Sequence, residues 1–344
     1  MKIALLNTIT PFVRGGAEIA VEGLNHHLRL HGHDPTIFRI PFPEDAREPL
    51  ISTYLAARML RFDNYDRVIT FKFPAYCVEH PGKVMWMFHQ FRQVYDLWEK
   101  PEGLSMHPDG KAIRVLVERA DNINIPKSRH VYVIAQEVAN RLQKYNNVQS
   151  SVLPTPLDDP SVYYCSNQGD YLYFPSRINS LKRQHLAVEA MKYTKSNVKL
   201  VITGICPDKN YLSDMRDTIS KNNLEKKVLI RNEWIDDKEK IKLMAESLGV
   251  VYIPLLEDAG GLVTMESFYS QKPVIACTDS GGILELVENN VTGLVAEPTP
   301  KKIAEAMDKL YENKAIAEKM GVTAFEEITR RKITWENTIA KLLL

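Results

Sequence analysis

Tyr171-Leu172-Tyr173-Phe174-Pro175 runs directly into Ser176-Arg177-Ile178-Asn179-Ser180-Leu181-Lys182-Arg183-Gln184-His185, and the amphipathic stretch 184–191 grows out of its end. A short run that is apolar on both faces fits a strand covered on both sides, as parallel sheets require. The polar turn and the helix behind it complete one strand–turn–helix step. That step recurs outward in both directions. Strands are expected at residues 198–203, 227–231, 249–254, 273–276 and 293–296 downstream, and at 2–7, 36–40, 67–71, 83–88 and 130–135 upstream. Amphipathic segments at 17–30, 236–246 and 300–311 lie between them. Strand and helix alternating in this way predict a doubly wound α/β architecture, and it occurs twice.

The break between the two copies is Pro154-Thr155-Pro156-Leu157-Asp158-Asp159-Pro160, three prolines in seven residues followed by a polar stretch to Asp170. The expected organisation is a first domain over 1–155, a second over 156–325 and a final amphipathic segment over 326–344. Two wound domains joined at such a linker leave a cleft, and ligands collect outside the carboxyl ends of parallel strands. The 344 residues carry 44 basic and 43 acidic side chains, a net charge of +1, with 44% hydrophobic residues. That balance argues against a nucleic-acid binder and against disorder. The longest apolar run, 248–256, is far short of the roughly 20 residues that span a bilayer. The apolar start at 2–7 reads as a strand and is too short for a signal peptide. Cysteines 77, 165, 206 and 277 show no paired spacing, which predicts reduced thiols and no cysteine-based zinc site. The halves differ: residues 1–150 hold 19 basic and 16 acidic side chains and eight of the nine histidines.

Three doublets, Gly15-Gly16, Gly260-Gly261 and Gly281-Gly282, each fall between an expected strand and an expected helix. Glycine there lets main-chain N–H groups face an anion at a helix N-terminus. Ordinary turns are the alternative for any one doublet; three at matching junctions point to a phosphate cradle. Neither G-x-G-x-x-G nor the Walker pattern is present, which weighs against NAD-linked and P-loop chemistry. Arg177 in the turn and Lys182 at the mouth of the next helix suit a diphosphate, a guanidinium fork beside an ammonium. Solvated surface cations remain the plainer alternative. Asp258 in the loop and Glu266 on the following helix flank the second doublet. Carboxylates accept from sugar hydroxyls where amides donate to phosphate.

These residues resemble family 4 retaining glycosyltransferases of the GT-B fold. The resemblance rests on Arg177 through Lys182, on the acidic loop to Glu266, on Lys272-Pro273-Val274-Ile275-Ala276, on Gly281 to Val287 and on Glu288 to Val295. It covers nearly all of the second half. The first half matches more loosely, through Gly15-Gly16-Ala17-Glu18 and Val84-Met85-Trp86-Met87-Phe88-His89-Gln90, and Trp335 matches a last helix that crosses back to the first domain. The resemblance implies two Rossmann-like domains facing a central cleft. It implies transfer of a hexose, mannose among the candidates, from a UDP- or GDP-sugar to a glycan or lipid-linked acceptor in surface polysaccharide or glycoconjugate biosynthesis. Anomeric configuration would be retained. Arg177 and Lys182 would hold the diphosphate, Gly15, Gly16, Gly261, Leu262 and Val263 would line the donor, and Ile235 would join them. Glu266 would take the ribose, Asp258 the sugar, and His89 would sit on the acceptor side.

One departure is visible. The first acid of the pattern falls on Asp258, a shorter carboxylate than the usual glutamate, and Ala259-Gly260 replaces Gly-aromatic. Glu257 is the alternative acid if the loop bulges. No Asp-x-Asp pair appears in either half. Cationic side chains and helix N-termini would therefore stabilise the leaving group without a metal or cofactor.

Around His89, the residues Phe91, Tyr95 and Trp98 fall four and three apart, one face of a helix. Core packing is their plainer role and contact with an acceptor or a membrane surface the sharper one. His26, His27, His31 and His33 read as the exposed face and end of the first helix. The setting expected is the cytoplasm, with peripheral contact at the membrane through the first domain. A non-catalytic nucleotide-sugar-binding protein on the same fold is the competing reading, favoured by the altered first acid and opposed by Arg177, Lys182 and Glu266 together.

Overall fold

Among the residues that the computed structural model describes, 1–11, 14–42, 49–166 and 168–344, twelve strands form two parallel sheets of six. The chain divides into two units, Met1–Asp158 with Ile333–Leu344, and Asp159–Lys332.

The first unit runs β1 (Lys2–Ile9), α1 (Gly16–Leu30), β2 (Asp34–Pro41), α2 (Pro49–Met59), β3 (Arg67–Thr70), β4 (Lys83–Met87), α3 (Gly110–Asn124), β5 (His130–Val133), α4 (Gln136–Asn146) and β6 (Ser151–Val152). Its strand order is β2-β1-β3-β4-β5-β6, and every pairing is parallel. Alternation along β1 divides its apolar residues between two cores. Ile3 and Leu5 join Val84, Trp86 and the α1 residues Val21 and Leu24, whereas Ala4 and Leu6 join Phe62, Val68 and Val78. Covering both faces explains why β1 and β4 are apolar almost without interruption.

The second unit runs β7 (Tyr171–Pro175), α5 (Gln184–Ala190), β8 (Lys199–Thr203), α6 (Lys209–Lys221), β9 (Val228–Arg231), α7 (Asp237–Glu246), β10 (Gly249–Val251), α8 (Leu262–Tyr269), β11 (Val274–Cys277), β12 (Gly293–Ala296), α9 (Pro300–Glu312) and α10 (Lys314–Arg330). Its order is β12-β11-β10-β7-β8-β9. The chain therefore winds away from β7 in one direction, returns, and winds away from β10 in the other. The crevice between these two strands' carboxyl ends is the topological switch point, where open α/β sheets place ligands.

The last helix, α11 (Trp335–Leu342), belongs to the first unit. Thr334 caps it by accepting from the Asn337 amide at 3.3 Å. Trp335 Nε1 donates to the Leu157 carbonyl at 3.0 Å, its ring stacks on His27 with centroids 5.0 Å apart, and α1 makes room for it at Gly23. A Cβ at Gly23 would lie 2.6 Å from the indole.

Several local expectations are corrected. His27 is not an exposed histidine: with 16% of its side chain exposed, it pairs with Asp158 at 3.0 Å beneath Trp335. Residues 91–98 do not form a helix. Only a 3-10 turn over Arg92–Val94 is present: Phe91 at ψ 85° and Tyr95 at ψ -103° leave helical geometry, and Tyr95 turns inward to donate to Asp121 at 2.8 Å. Phe91 and Tyr95 are core residues. The strand expected over 249–254 stops at Val251, since Pro254 has no N–H for a ladder and Leu256 sits at φ 48°. The boundary expected at 325 falls inside α10, whose continuous turns carry the second unit on to Lys332. The two-residue β6 lies outside the expected strands.

Candidate functional site

At the carboxyl end of β7 the chain turns through Ser176–Lys182. Gln184, fully buried, ties the turn down by donating from Nε2 to Ser176 Oγ at 2.7 Å and to the Arg177 carbonyl at 3.0 Å. Asn179 Oδ1 accepts from the Lys182 amide at 2.9 Å. Behind the turn, Gly204 at φ +145° lets β8 approach so closely that a Cβ would lie 1.9 Å from the Ser176 carbonyl oxygen. Arg177 emerges exposed and makes no ion pair among the described residues.

Lys182 points toward the loop after β10. Its Nζ donates to the Tyr252 hydroxyl at 2.9 Å, lies 5.2 Å from that ring's centroid and forms an ion pair with Glu257. Burial alone would lower the Lys182 pKa, but the Glu257 carboxylate and Tyr252 outweigh it and hold the ammonium above the ordinary lysine value. Burial and Glu257 push the Tyr252 hydroxyl up to about 12, while Arg177 is near enough to pull it down slightly. Arg177, Lys182 and Tyr252 thus share one locality at the switch point.

Tyr252 also touches the start of α8. Gly261 is the N-cap at φ 76°, and a Cβ there would lie 2.8 Å from the Tyr252 ring. Among the described residues no side chain caps α8, so the amides of Leu262, Val263 and Thr264 keep the helix's unpaired donors. Leu262 and Val263 are half-buried there. The loop before them is stitched to the loop after β11: the Glu257 amide donates to the Ser280 carbonyl at 3.1 Å, and the Gly282 amide to the Glu257 carbonyl at 2.8 Å. Gly281 at φ +66° permits this, since a Cβ would fall 2.5 Å from Glu257 O. Asp258 is buried on the same loop.

Glu266, one turn into α8, is held by Lys240 Nζ at 2.7 Å and by the Tyr163 hydroxyl at 3.1 Å, both on Oε1. Burial would lower the Lys240 pKa, but Glu266 raises it above the ordinary value. Ile235, half-buried, precedes α7, the helix that carries Lys240. Sequence reasoning missed Lys240, Tyr163, Tyr252 and Arg183. Arg183 sits at φ 60° with its guanidinium inward: Nε donates to the Ile253 carbonyl at 2.7 Å, Nη2 to the Pro254 carbonyl at 3.0 Å, and both terminal nitrogens to Asp279 at 2.7 Å. Its only one-dimensional signal was its place beside Lys182.

On the first unit, Gly15 is the N-cap of α1 and its amide donates to Glu18 Oε2 at 2.9 Å, with Gly16 opening the helix. Lys72, just past β3, pairs with Glu18 at 3.6 Å. β1 and β3 are this sheet's own switch point, because the chain reverses direction between them. His89 follows β4, and its Nδ1 lies 2.7 Å from the Gln90 carbonyl, which makes Nε2 the basic nitrogen of the neutral ring. The four cysteines are free thiols, and among the described residues no helix is long and apolar enough to cross a membrane.

Residues 166–327 match the family model described as glycosyl transferases group 1. Human alpha-1,3/1,6-mannosyltransferase ALG2 is 28% identical over 185 residues, 50% of this chain and 43% of that protein. The chain spans less than half the length of the curated ALG2 relatives it matches. Sucrose-phosphate synthase from Thermosynechococcus elongatus superposes with a TM-score of 0.78 at 17% identity, covering 98% of this chain and 97% of that one. HepE from Anabaena, solved in complex with UDP, superposes with a TM-score of 0.73 at 18% identity, covering 100% and 99%. The chain has the GT-B fold, and the match to the glycosyl transferases group 1 model falls within its second unit.

Proposed function

We propose that this chain, a glycosyltransferase domain on a GT-B fold, moves a hexose from a nucleoside diphosphate sugar to a glycan or lipid-linked acceptor. The observation that carries the reading is the convergence of Arg177, Lys182 and the uncapped start of α8 at the β7/β10 switch point. Breaking a sugar–diphosphate bond builds negative charge on the leaving phosphate, and fixed cations and amides aimed there lower the barrier. Arg177 and Lys182 supply that charge, so the transfer runs without a metal ion. Glu266 Oε2, the oxygen not taken by Lys240 or Tyr163, accepts from the ribose, with Ile235 beside it. Asp258 orients the sugar. Attack from the face that the diphosphate leaves retains the configuration, and a diphosphate oxygen takes the acceptor's proton.

The first unit takes the acceptor, with His89 as its polar contact. The ALG2 relatives are named as mannosyltransferases, and HepE was solved with UDP, which makes GDP-mannose and the UDP-hexoses the donors to try first. A lipid-linked acceptor places the enzyme at the cytoplasmic membrane surface in glycoconjugate synthesis. Heat stabilisation by UDP- and GDP-sugars, followed by product analysis with EDTA present, tests the reading. The reading expects stabilisation that is lost in Arg177→Ala and Lys182→Ala. Stabilisation unchanged in both variants, or turnover that stops in EDTA and returns with a divalent ion, would refute the corresponding part.

A further inference from the structure

We infer that Glu257 is a built-in counter-ion of Lys182, occupying on that ammonium the place of the donor's diphosphate, and that Tyr252 is the residue that keeps the ammonium in position when the carboxylate gives way. The inference rests on the donor site proposed above.

The two cations of the site are not equivalent. Arg177 is exposed and makes no ion pair among the described residues, whereas Lys182, with 16% of its side chain exposed, is already neutralised by Glu257. A diphosphate approaching Arg177 meets a second cation whose charge is compensated. Full engagement of Lys182 therefore exchanges one anion for another. The loop is built so that only a side chain has to move. Glu257's main chain is pinned on both sides, by Ser280 and by Gly282, and Gly281 leaves no space for it to shift. Its carboxylate, 22% exposed, has solvent to rotate into. Tyr252 cannot follow, because its ring is buried against Gly261 and its hydroxyl holds Nζ at 2.9 Å. Lys182 thus keeps one fixed contact while it changes anions. The acid next to Asp258 in the chain opposes donor binding.

Calorimetry with UDP and GDP on the full chain tests this, using whichever nucleotide the wild type binds. Glu257→Gln keeps the shape and removes the charge. It is expected to tighten the nucleoside diphosphate by about tenfold, with uridine or guanosine alone unaffected, because a partly buried charge pair is screened little. Glu257→Asp withdraws the carboxylate by one methylene and gives the same direction, which covers a failure of the amide variant to fold. Tyr252→Phe keeps the ring against Gly261 and loses about threefold in affinity, rising to about tenfold in the Glu257→Gln background, where the hydroxyl is the remaining anchor. Equal or weaker binding by both Glu257 variants would overturn the counter-ion assignment. Strictly additive losses for Tyr252→Phe would overturn the positioning role. If the wild type binds neither nucleotide, the donor site itself fails, a different outcome from a wild type that binds with unresponsive variants.

Discussion

Replacing Arg183 by Met should cost the second unit more than any nearby surface cation, and the structure says how much. The side chain is 9% exposed and makes four hydrogen bonds: two to Asp279 and two to the carbonyls of Ile253 and Pro254. Methionine fills similar volume but leaves those carbonyls without a donor. Each stripped buried carbonyl costs about 1–3 kcal/mol. The Asp279 side chain is 32% exposed and recovers much of its solvation, so the lost fork adds only about 1 kcal/mol. The sum is about 4 kcal/mol, which lowers the melting transition of a unit this size by roughly 10 °C. Scanning calorimetry of the full chain reads it directly. Asp279→Asn is the comparison, since it keeps Arg183 on both carbonyls and should cost about 1 kcal/mol. If Asp279→Asn proves as damaging as Arg183→Met, or if Arg183→Met melts within 2–3 °C of wild type, carbonyl capture is not what holds the end of β10.

Gly261→Ala forces a side chain into φ 76° and against the Tyr252 ring; strain of about 2 kcal/mol should reduce nucleoside diphosphate affinity about tenfold or more, read by calorimetry. Gly23→Val drives a methyl into the Trp335 indole and should cost about 1–3 kcal/mol of first-unit stability, visible in chemical denaturation followed by tryptophan fluorescence. Asp121 is fully buried, accepting from Tyr76 at 2.7 Å and Tyr95 at 2.8 Å, and burial raises its carboxyl from 3.8 to about 7. The folded chain therefore holds a proton there that the unfolded chain has released, so stability falls as pH rises from about 4 to about 7, by at most about 1.4 kcal/mol per unit. Asp121→Asn should flatten that slope in melting temperatures taken across the range; an unaltered slope would show that another group sets it.

What could be read along the chain and what could not divide on a physical line. Strand positions were legible because a strand buried on both faces is apolar along its buried run, a local property that Tyr171–Pro175 and the Ile3–Leu6 stretch of β1 both display. The glycines were legible for a similar reason: Gly261 and Gly281 occupy left-handed main-chain conformations that few other residues tolerate, and composition alone reveals them. Partner choice is different. Lys182 and Arg183 are adjacent cations, yet one meets Glu257 and the other meets Asp279 and two carbonyls, across 75 and 96 residues respectively. Nothing in the local pattern distinguishes the ammonium left near solvent from the guanidinium turned into the core. Arg183 takes a left-handed conformation, φ 60°, at the point where the two side chains part. Glu257 and Asp258 pose the same problem. A motif reading ranks them by register, whereas the fold ranks them by which carboxylate the Gly281–Gly282 contact leaves facing Lys182. Motif spacing located the loop; the charge balance inside it depends on two glycines more than twenty residues downstream.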